Sequence, residues 1–233
     1  MTADAPMYEV EALTARYGPL VAVQSVSLSF GKGERIGIFG HNGSGKSTLM
    51  KCCVGAIAEV TGTVRFFGAP ITPREVHRNV NLGIGWVPQS DNVFPNLTVA
   101  QCLRTAALGG RQGSRDEVFD LFPLLRERLT QRAGSLSGGE QQMLAVGMSL
   151  MRRPEVLLLD EPTAGLAPVA AERMLDALNR INSELATAIV IVEQNVLLAL
   201  DHVDRAIVLR AGEVVYDGAS RELKRKEDLW NWF

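Results

Sequence analysis

The stretch Gly40-His41-Asn42-Gly43-Ser44-Gly45-Lys46-Ser47 constrains this chain more than any other. It fits the pattern G-x-x-x-x-G-K-[ST], between the apolar run Ile36-Gly37-Ile38-Phe39 and the helix-like run Thr48-Leu49-Met50. Glycines at these spacings let successive backbone N–H groups turn inward as an anion-binding nest. The N-terminus of the following helix adds partial positive charge. Lys46 can reach the β- and γ-phosphates of a nucleotide, and the Ser47 hydroxyl can coordinate Mg²⁺. A chance glycine-rich turn would lack the strand before it and the helix after it. The loop from Gly40 to Thr48 is therefore expected to bind ATP in an α/β core.

A phosphate loop of this kind needs a second contact for Mg²⁺, and Val156-Leu157-Leu158-Leu159-Asp160-Glu161 supplies one. Four apolar residues place Asp160 at the tip of a buried strand. Taken alone, this is any core strand ending in a surface acidic pair. Paired with the loop, it becomes a Walker B element, with Asp160 near the metal and Glu161 beside the γ-phosphate, positioned to orient or polarise the attacking water.

Composition narrows the class. The chain has 233 residues, with 24 Lys+Arg against 26 Asp+Glu and a net charge of −2. That size suits one large domain or a domain with small lobes. The balance lacks the basic excess of a nucleic-acid binder. No apolar run approaches the roughly 18 residues that span a bilayer. Met1 to Pro6 is polar, without the basic and apolar regions of a signal peptide. Cys52, Cys53 and Cys102 lack zinc-ligand spacing, and His41, His77 and His202 are scattered. Reduced thiols packed as small apolar residues are expected, in a soluble cytosolic protein.

Strand and helix patterns alternate along the chain. Tyr8–Arg16 and Val23–Phe30 show the period-2 spacing of half-buried antiparallel strands. Further strands are expected at Arg35–Phe39, Gly62–Gly68, Gly83–Val87, Val156–Leu159, Ala188–Val192 and Ala206–Tyr216. From Asp91 to Gln131 the texture is helical, with Thr98 as one cap and Ser114 with Glu117 as a capping box. Helices are expected after Ser137 to about Arg152, over Val169–Leu185 and near Val196–His202. This alternation implies a largely parallel sheet decorated by a strand-rich N-terminal portion and a helical insert.

Just upstream of the Asp160 strand runs Leu136-Ser137-Gly138-Gly139-Glu140-Gln141-Gln142. Ser137 and Glu140 form a capping box, and Gly138 and Gly139 leave the first-turn N–H groups open to an anion. In this position the string resembles the signature motif of ATP-binding cassette (ABC) ATPases, a resemblance that covers nearly the whole chain. It implies an α/β P-loop NTPase (RecA-like) core with an antiparallel β subdomain and an inserted α-helical signature subdomain. The implied division is 1–90 and 153–233 for the core and 91–152 for the helical part. By the same resemblance Tyr17 stacks on adenine, and Gln89 touches metal and nucleophilic water. Two cassettes would pair head to tail, so that Ser137, Gly138, Gly139 and Glu140 act on the other subunit's γ-phosphate. ATP-driven closure would pass to permeases through the Gln89 region.

A narrower likeness rests on Leu121-Phe122-Pro123, on Gln131 to Leu144, on Phe94-Pro95-Asn96-Leu97-Thr98-Val99, and on Asp160 to Pro168. These are similar to the importer ATPases for branched-chain and other hydrophobic amino acids and their urea- and amide-importing relatives. The likeness implies two transmembrane permeases, a second ABC ATPase, an extracytoplasmic solute-binding protein, and a place on the inner face of the cell membrane. Two positions depart from most cassettes. Ala164-Gly165-Leu166-Ala167 lacks the usual aspartate, and Gln194 replaces the switch histidine at the tip of the Ala188–Val192 strand. An amide offers only neutral hydrogen bonds where an imidazole can carry charge, so a weaker hold on the γ-phosphate or slower hydrolysis is expected. A soluble ABC protein would usually carry two cassettes or a coiled-coil insertion, and neither pattern is present. The mixed charged and aromatic run Lys224–Phe233 is expected to dock as a short helix.

Overall fold

The computed structural model describes residues 6–108, 113–225 and 232. The central feature is a six-stranded sheet whose inner strands are buried on both faces. Its strands are β3 (Arg35–Phe39), β6 (Ile84–Val87), β7 (Val156–Asp160), β8 (Ala188–Val192), β9 (Arg205–Arg210) and β10 (Glu213–Ala219), in the order β10-β9-β3-β8-β7-β6. From β9 to β6 every pairing is parallel, and β10 closes the edge antiparallel to β9. All five residues of β7 and of β8 are buried, as expected of parallel strands covered on both sides.

Period-2 alternation sorts these strands into two cores. Leu157, Leu159, Ile189 and Ile191 face the helices, joining Leu103, Leu125, Leu144 and Met174. Val156, Leu158, Val190 and Val192 face the other way, onto Leu49, Met50 and the apolar side of a second sheet. That sheet is antiparallel, in the order β2-β1-β4-β5, from β1 (Tyr8–Tyr17), β2 (Leu20–Phe30), β4 (Val60–Phe66) and β5 (Ala69–Pro70). The expected antiparallel N-terminal strands are thus present, bent by register shifts in β1 between Val10 and Leu13. Cys52, Cys53 and Cys102 are all buried free thiols, and burial pushes the Cys52 thiol up to about 12.

Helix α1 (Lys46–Cys53) follows β3, and α2 (Val76–Val80) precedes β6. Between β6 and β7 lie α3 (Val99–Ala106), α4 (Arg115–Leu121), α5 (Pro123–Glu127), a 3-10 turn at Ala133–Ser135 and α6 (Gly138–Leu150). The cap at Thr98 and the capping box of Ser114 with Glu117 form as the sequence predicts, and Gln101 completes a second box at Thr98 that was not expected. Helix α7 (Pro168–Leu185) crosses from β7 to β8, α8 (Val196–Leu200) leads to β9, and α9 (Ser220–Lys224) follows β10. Helix α8 ends two residues before His202, and α6 ends at Leu150 rather than Arg152. Most of the docked helix expected over Lys224–Phe233 lies outside the described residues, as do residues 1–5. Trp232 packs edge-on to Tyr216, with ring centroids 5.6 Å apart.

Leu157 is fully buried in the middle of β7, so Leu157→Ala leaves a cavity at the centre of the sheet. Urea unfolding is expected to show a loss of about 3 kcal/mol, with the denaturant slope unchanged.

Candidate functional site

Parallel strands end together, so whatever follows β3, β6, β7 and β8 converges on the carboxyl edge of the sheet, where α/β folds place their ligands. After β3 comes the loop from Gly40 to Ser47. Gly40, Gly43 and Gly45 all hold positive φ, at 145°, 80° and 101°. Side chains would not fit: a Cβ on Gly40 would lie 2.2 Å from the Leu209 carbonyl oxygen, and one on Gly45 2.3 Å from that of Ala22. The loop is also tied down, with Gly212 N–H donating to Ser44 O at 3.0 Å and Gln24 N–H to Gly212 O at 2.8 Å. Lys46 is buried, and its ammonium donates to the carbonyls of Gly40 (2.8 Å) and His41 (2.9 Å). Burial pulls this ammonium below its usual pKa, while Glu161 and Asp160 pull it back up.

At the tip of β7, Asp160 accepts a hydrogen bond from Ser47 Oγ at 3.0 Å. Burial pushes the Asp160 carboxyl above the usual range, against the lowering effect of Ser47 and of the Lys51 and Lys46 charges. Glu161 follows with φ 53°, a left-handed conformation that a non-glycine residue holds only when its surroundings fix it. Two amides grip its carboxylate. Gln89, beyond β6, donates from Nε2 to Oε2 at 2.6 Å, and Gln194, beyond β8, donates from Nε2 to Oε1 at 2.7 Å. Glu161 N–H itself bonds to Val192 O at 2.9 Å.

These groups share one cleft of ≈ 470 Å³, lined on one wall by Tyr17, Leu20 and Ala22 and on the other by Asn42, Gly43, Gly45, Lys46, Ser47 and Thr48. Gln89, Glu161 and Gln194 close its end. Tyr17 is half exposed at the end of β1, free to present its ring face. The structure therefore brings the predicted loop, Asp160, Glu161, Gln89, Gln194 and Tyr17 into one place. Ser137, Gly138, Gly139 and Glu140 do not line this cleft. They form the start of α6, where Glu140 Oε2 accepts from Ser137 N–H at 2.7 Å and Ser137 Oγ caps Glu140 N–H at 3.4 Å. Nothing would meet a Cβ on Gly138 within 4 Å, so this helix end is open to an approaching group.

Two polar contacts were not anticipated from the sequence. Glu193 is buried and accepts from Thr163 N–H at 2.9 Å. Asn92 donates to Gln142 Oε1 at 2.7 Å, joining the segment after Gln89 to α6. For Glu193 a signal existed: it continues the alternation of an all-buried strand by one residue, towards the face of Ile191.

Comparison with known proteins agrees with this geometry. The family model described as ABC transporter matches residues 23–164. A probable branched-chain amino acid transport ATP-binding protein, LivF, of Archaeoglobus fulgidus is 40% identical over 225 residues, spanning 95% of both chains. The high-affinity branched-chain amino acid transport ATP-binding protein BraG of Pseudomonas aeruginosa is 39% identical over 216 residues, covering 90% of this chain and 91% of its own. Among solved structures, the dimeric post-hydrolysis state of the cassette MJ0796 bound to ADP and Pi superposes with a TM-score of 0.77 at 26% identity, covering 92% of this chain and 99% of that one.

Because the folded state raises the Asp160 pKa, its buried charge costs stability at pH values above that raised pKa. The cost vanishes below the unfolded value of about 3.9. Asp160→Asn is thus expected to melt above the parent at pH 7.5, with the gap shrinking as pH falls towards 4. The same variant is expected to lose ATP turnover; paired thermal melts and phosphate-release assays check both.

Proposed function

The chain belongs to the ABC transporter family, and from that premise we propose that it is the ATP-hydrolysing subunit of an importer for branched-chain or other hydrophobic amino acids or related small solutes. The observation that carries the catalytic part is the Glu161 carboxylate, held by the Gln89 and Gln194 amides in the same cleft as Lys46 and Ser47, with Asp160 bonded to Ser47. In this reading the N–H groups of the loop from Gly40 to Thr48 cradle the phosphates, and Lys46 swings from the Gly40 and His41 carbonyls to balance their charge. Tyr17 stacks on the adenine. Glu161 orients the attacking water and accepts its proton, while the two amides keep both carboxylate oxygens aimed into the cleft.

The oxygen donors Ser47 Oγ and Asp160, with Gln89 lining the same cleft as Ser47, form the hard-ligand set that Mg²⁺ prefers alongside nucleotide phosphates. When bound, Mg²⁺ supplies neutralisation of charge building on the β- and γ-phosphate oxygens. Ser47 and Asp160 would hold it, with Gln89 at its edge.

Ser137, Gly138, Gly139 and Glu140 complete the cleft of a second cassette rather than their own, which fits their open helix end and their absence from the lining of the local cleft. The dimeric cassette structure supports that pairing. We read residues 91–152 as the helical subdomain and 1–90 with 153–233 as the core and its β sheet. The partners are a second ABC ATPase, two transmembrane permeases and, through them, an extracytoplasmic solute-binding protein. Among the described residues no helix is long and apolar enough to cross a membrane, and the proposed station is the inner face of the cell membrane, beneath the permeases. The named relatives support the amino-acid class.

Two measurements test this reading. In proteoliposomes carrying the assembled transporter, ATP is expected to drive uptake of radiolabelled leucine, isoleucine or valine only when the solute-binding protein is present; absence of uptake for all three overturns the substrate assignment. Gln194 grips the Glu161 carboxylate through a neutral amide, whereas a protonated imidazole would bring a full positive charge to the same place. Gln194→His is expected to raise single-turnover hydrolysis several-fold (a gain of about 1 kcal/mol is a factor near five), and an unchanged rate contradicts the assigned role.

A further inference from the structure

Three consecutive residues at the end of β8 each hold the segment that follows Asp160. Val192 O accepts from Glu161 N–H at 2.9 Å, Glu193 Oε1 accepts from Thr163 N–H at 2.9 Å, and Gln194 Nε2 donates to Glu161 Oε1 at 2.7 Å. Within that segment Ala164 N–H bonds back to Glu161 O and Leu166 N–H to Thr163 O, so the chain from Glu161 to Leu166 is a pair of linked turns. The first turn opens on the strained Glu161, at φ 53°.

Glu193 is the only one of the three links that is a buried carboxylate, at 3% exposure. Burial pushes its carboxyl above the usual range, and the hydrogen bonds from Thr163 and from the Gln194 backbone pull it back down. A charge in this position is expensive for the fold, and an apolar side chain of equal volume would fill the space at lower cost. What the carboxylate does and no apolar residue can do is accept the Thr163 N–H. A left-handed glutamate persists only where its surroundings over-determine it, and Thr163 is the nearest fixed point downstream of Glu161.

We propose that Glu193 is a positioning residue for hydrolysis: by holding Thr163 N–H it locks the turn that aims the Glu161 carboxylate into the nucleotide cleft. The inference rests on the reading of Glu161 as the residue that handles the attacking water. The same bond fixes the course of Ala164, Gly165 and Leu166 along a neighbouring cavity of ≈ 450 Å³, which Glu161, Glu193 and Gln194 also line. One buried side chain thus sets both the aim of Glu161 and the path of the loop beside it.

The test compares E193Q, E193M and E161Q in the full chain, reading ATP turnover and nucleotide affinity separately. Glutamine keeps an acceptor oxygen in place, while methionine fills the volume without one. E193M is expected to lose at least about tenfold in kcat, in line with the steep cost of small misplacements, at an ATP affinity within about twofold of the parent. E193Q is expected to keep kcat within about threefold, because the acceptor is restored. The proposal is overturned if E193M turns over like the parent, if E193Q falls as far as E193M, if ATP affinity falls in step with kcat, or if E193M does not fold. E161Q separates the two levels of the argument: parent-like turnover in E161Q overturns the role given to Glu161, whereas its loss beside an active E193M overturns the role of Glu193 alone.

Discussion

The grip of two glutamine amides on the Glu161 carboxylate is the interaction on which the rest of this structure depends. It ties together side chains beyond the ends of three neighbouring strands, from residues far apart in sequence, since Gln89 lies 72 residues and Gln194 33 residues from Glu161. Both amides are neutral donors, and the carboxylate is the only charge in the cluster. Hydrogen bonds to a charged acceptor are stronger than those between neutral partners, so the clamp holds the two carboxylate oxygens in fixed directions. A general base is useful only when its geometry is set in advance. In the role proposed for Glu161 the clamp sets that geometry, and the left-handed backbone at Glu161 is the strain it sustains.

The cleft concentrates charge in a region the fold otherwise keeps apolar. Lys46 and Asp160 are both buried, and burial disfavours the charged form of each. They offset one another in part, and the lysine's remaining need is met by two loop carbonyls. A cluster assembled for packing alone would not bury a lysine beside the carboxylates of Asp160 and Glu161. The excess cost in stability is what marks the site as functional.

Much of this was legible in the sequence. The loop from Gly40 to Ser47 could be placed because the apolar residues on either side demanded a strand and a helix. Asp160 and Glu161 could be placed because Val156–Leu159 had to be a core strand. The helix-start pattern at Ser137 needed only its own four residues. What local pattern could not supply was adjacency. The meeting of Gln89 with Glu161 depends on β6 lying beside β7, and that order is set by how whole elements pack. The sequence placed Gln194 towards the γ-phosphate from resemblance, and the structure adds that its amide first meets Glu161. Short elements such as β5 and α2 left no periodic signal, because two to five residues cannot display one. Glu193, a charged residue just past a core strand, is buried, as its place in the alternation with Ile189 and Ile191 would put it.

The position of the Ser137 end carries the largest consequence. It is well formed, open and outside the lining of its own chain's cleft, so the proposed complete site takes in a second cassette. The specific ATPase rate, measured per chain across a wide range of protein concentration, tests that claim most directly. The account predicts a rate per chain that climbs with concentration and levels off as dimers fill. A rate per chain that stays flat from the lowest measurable concentration upward would contradict it.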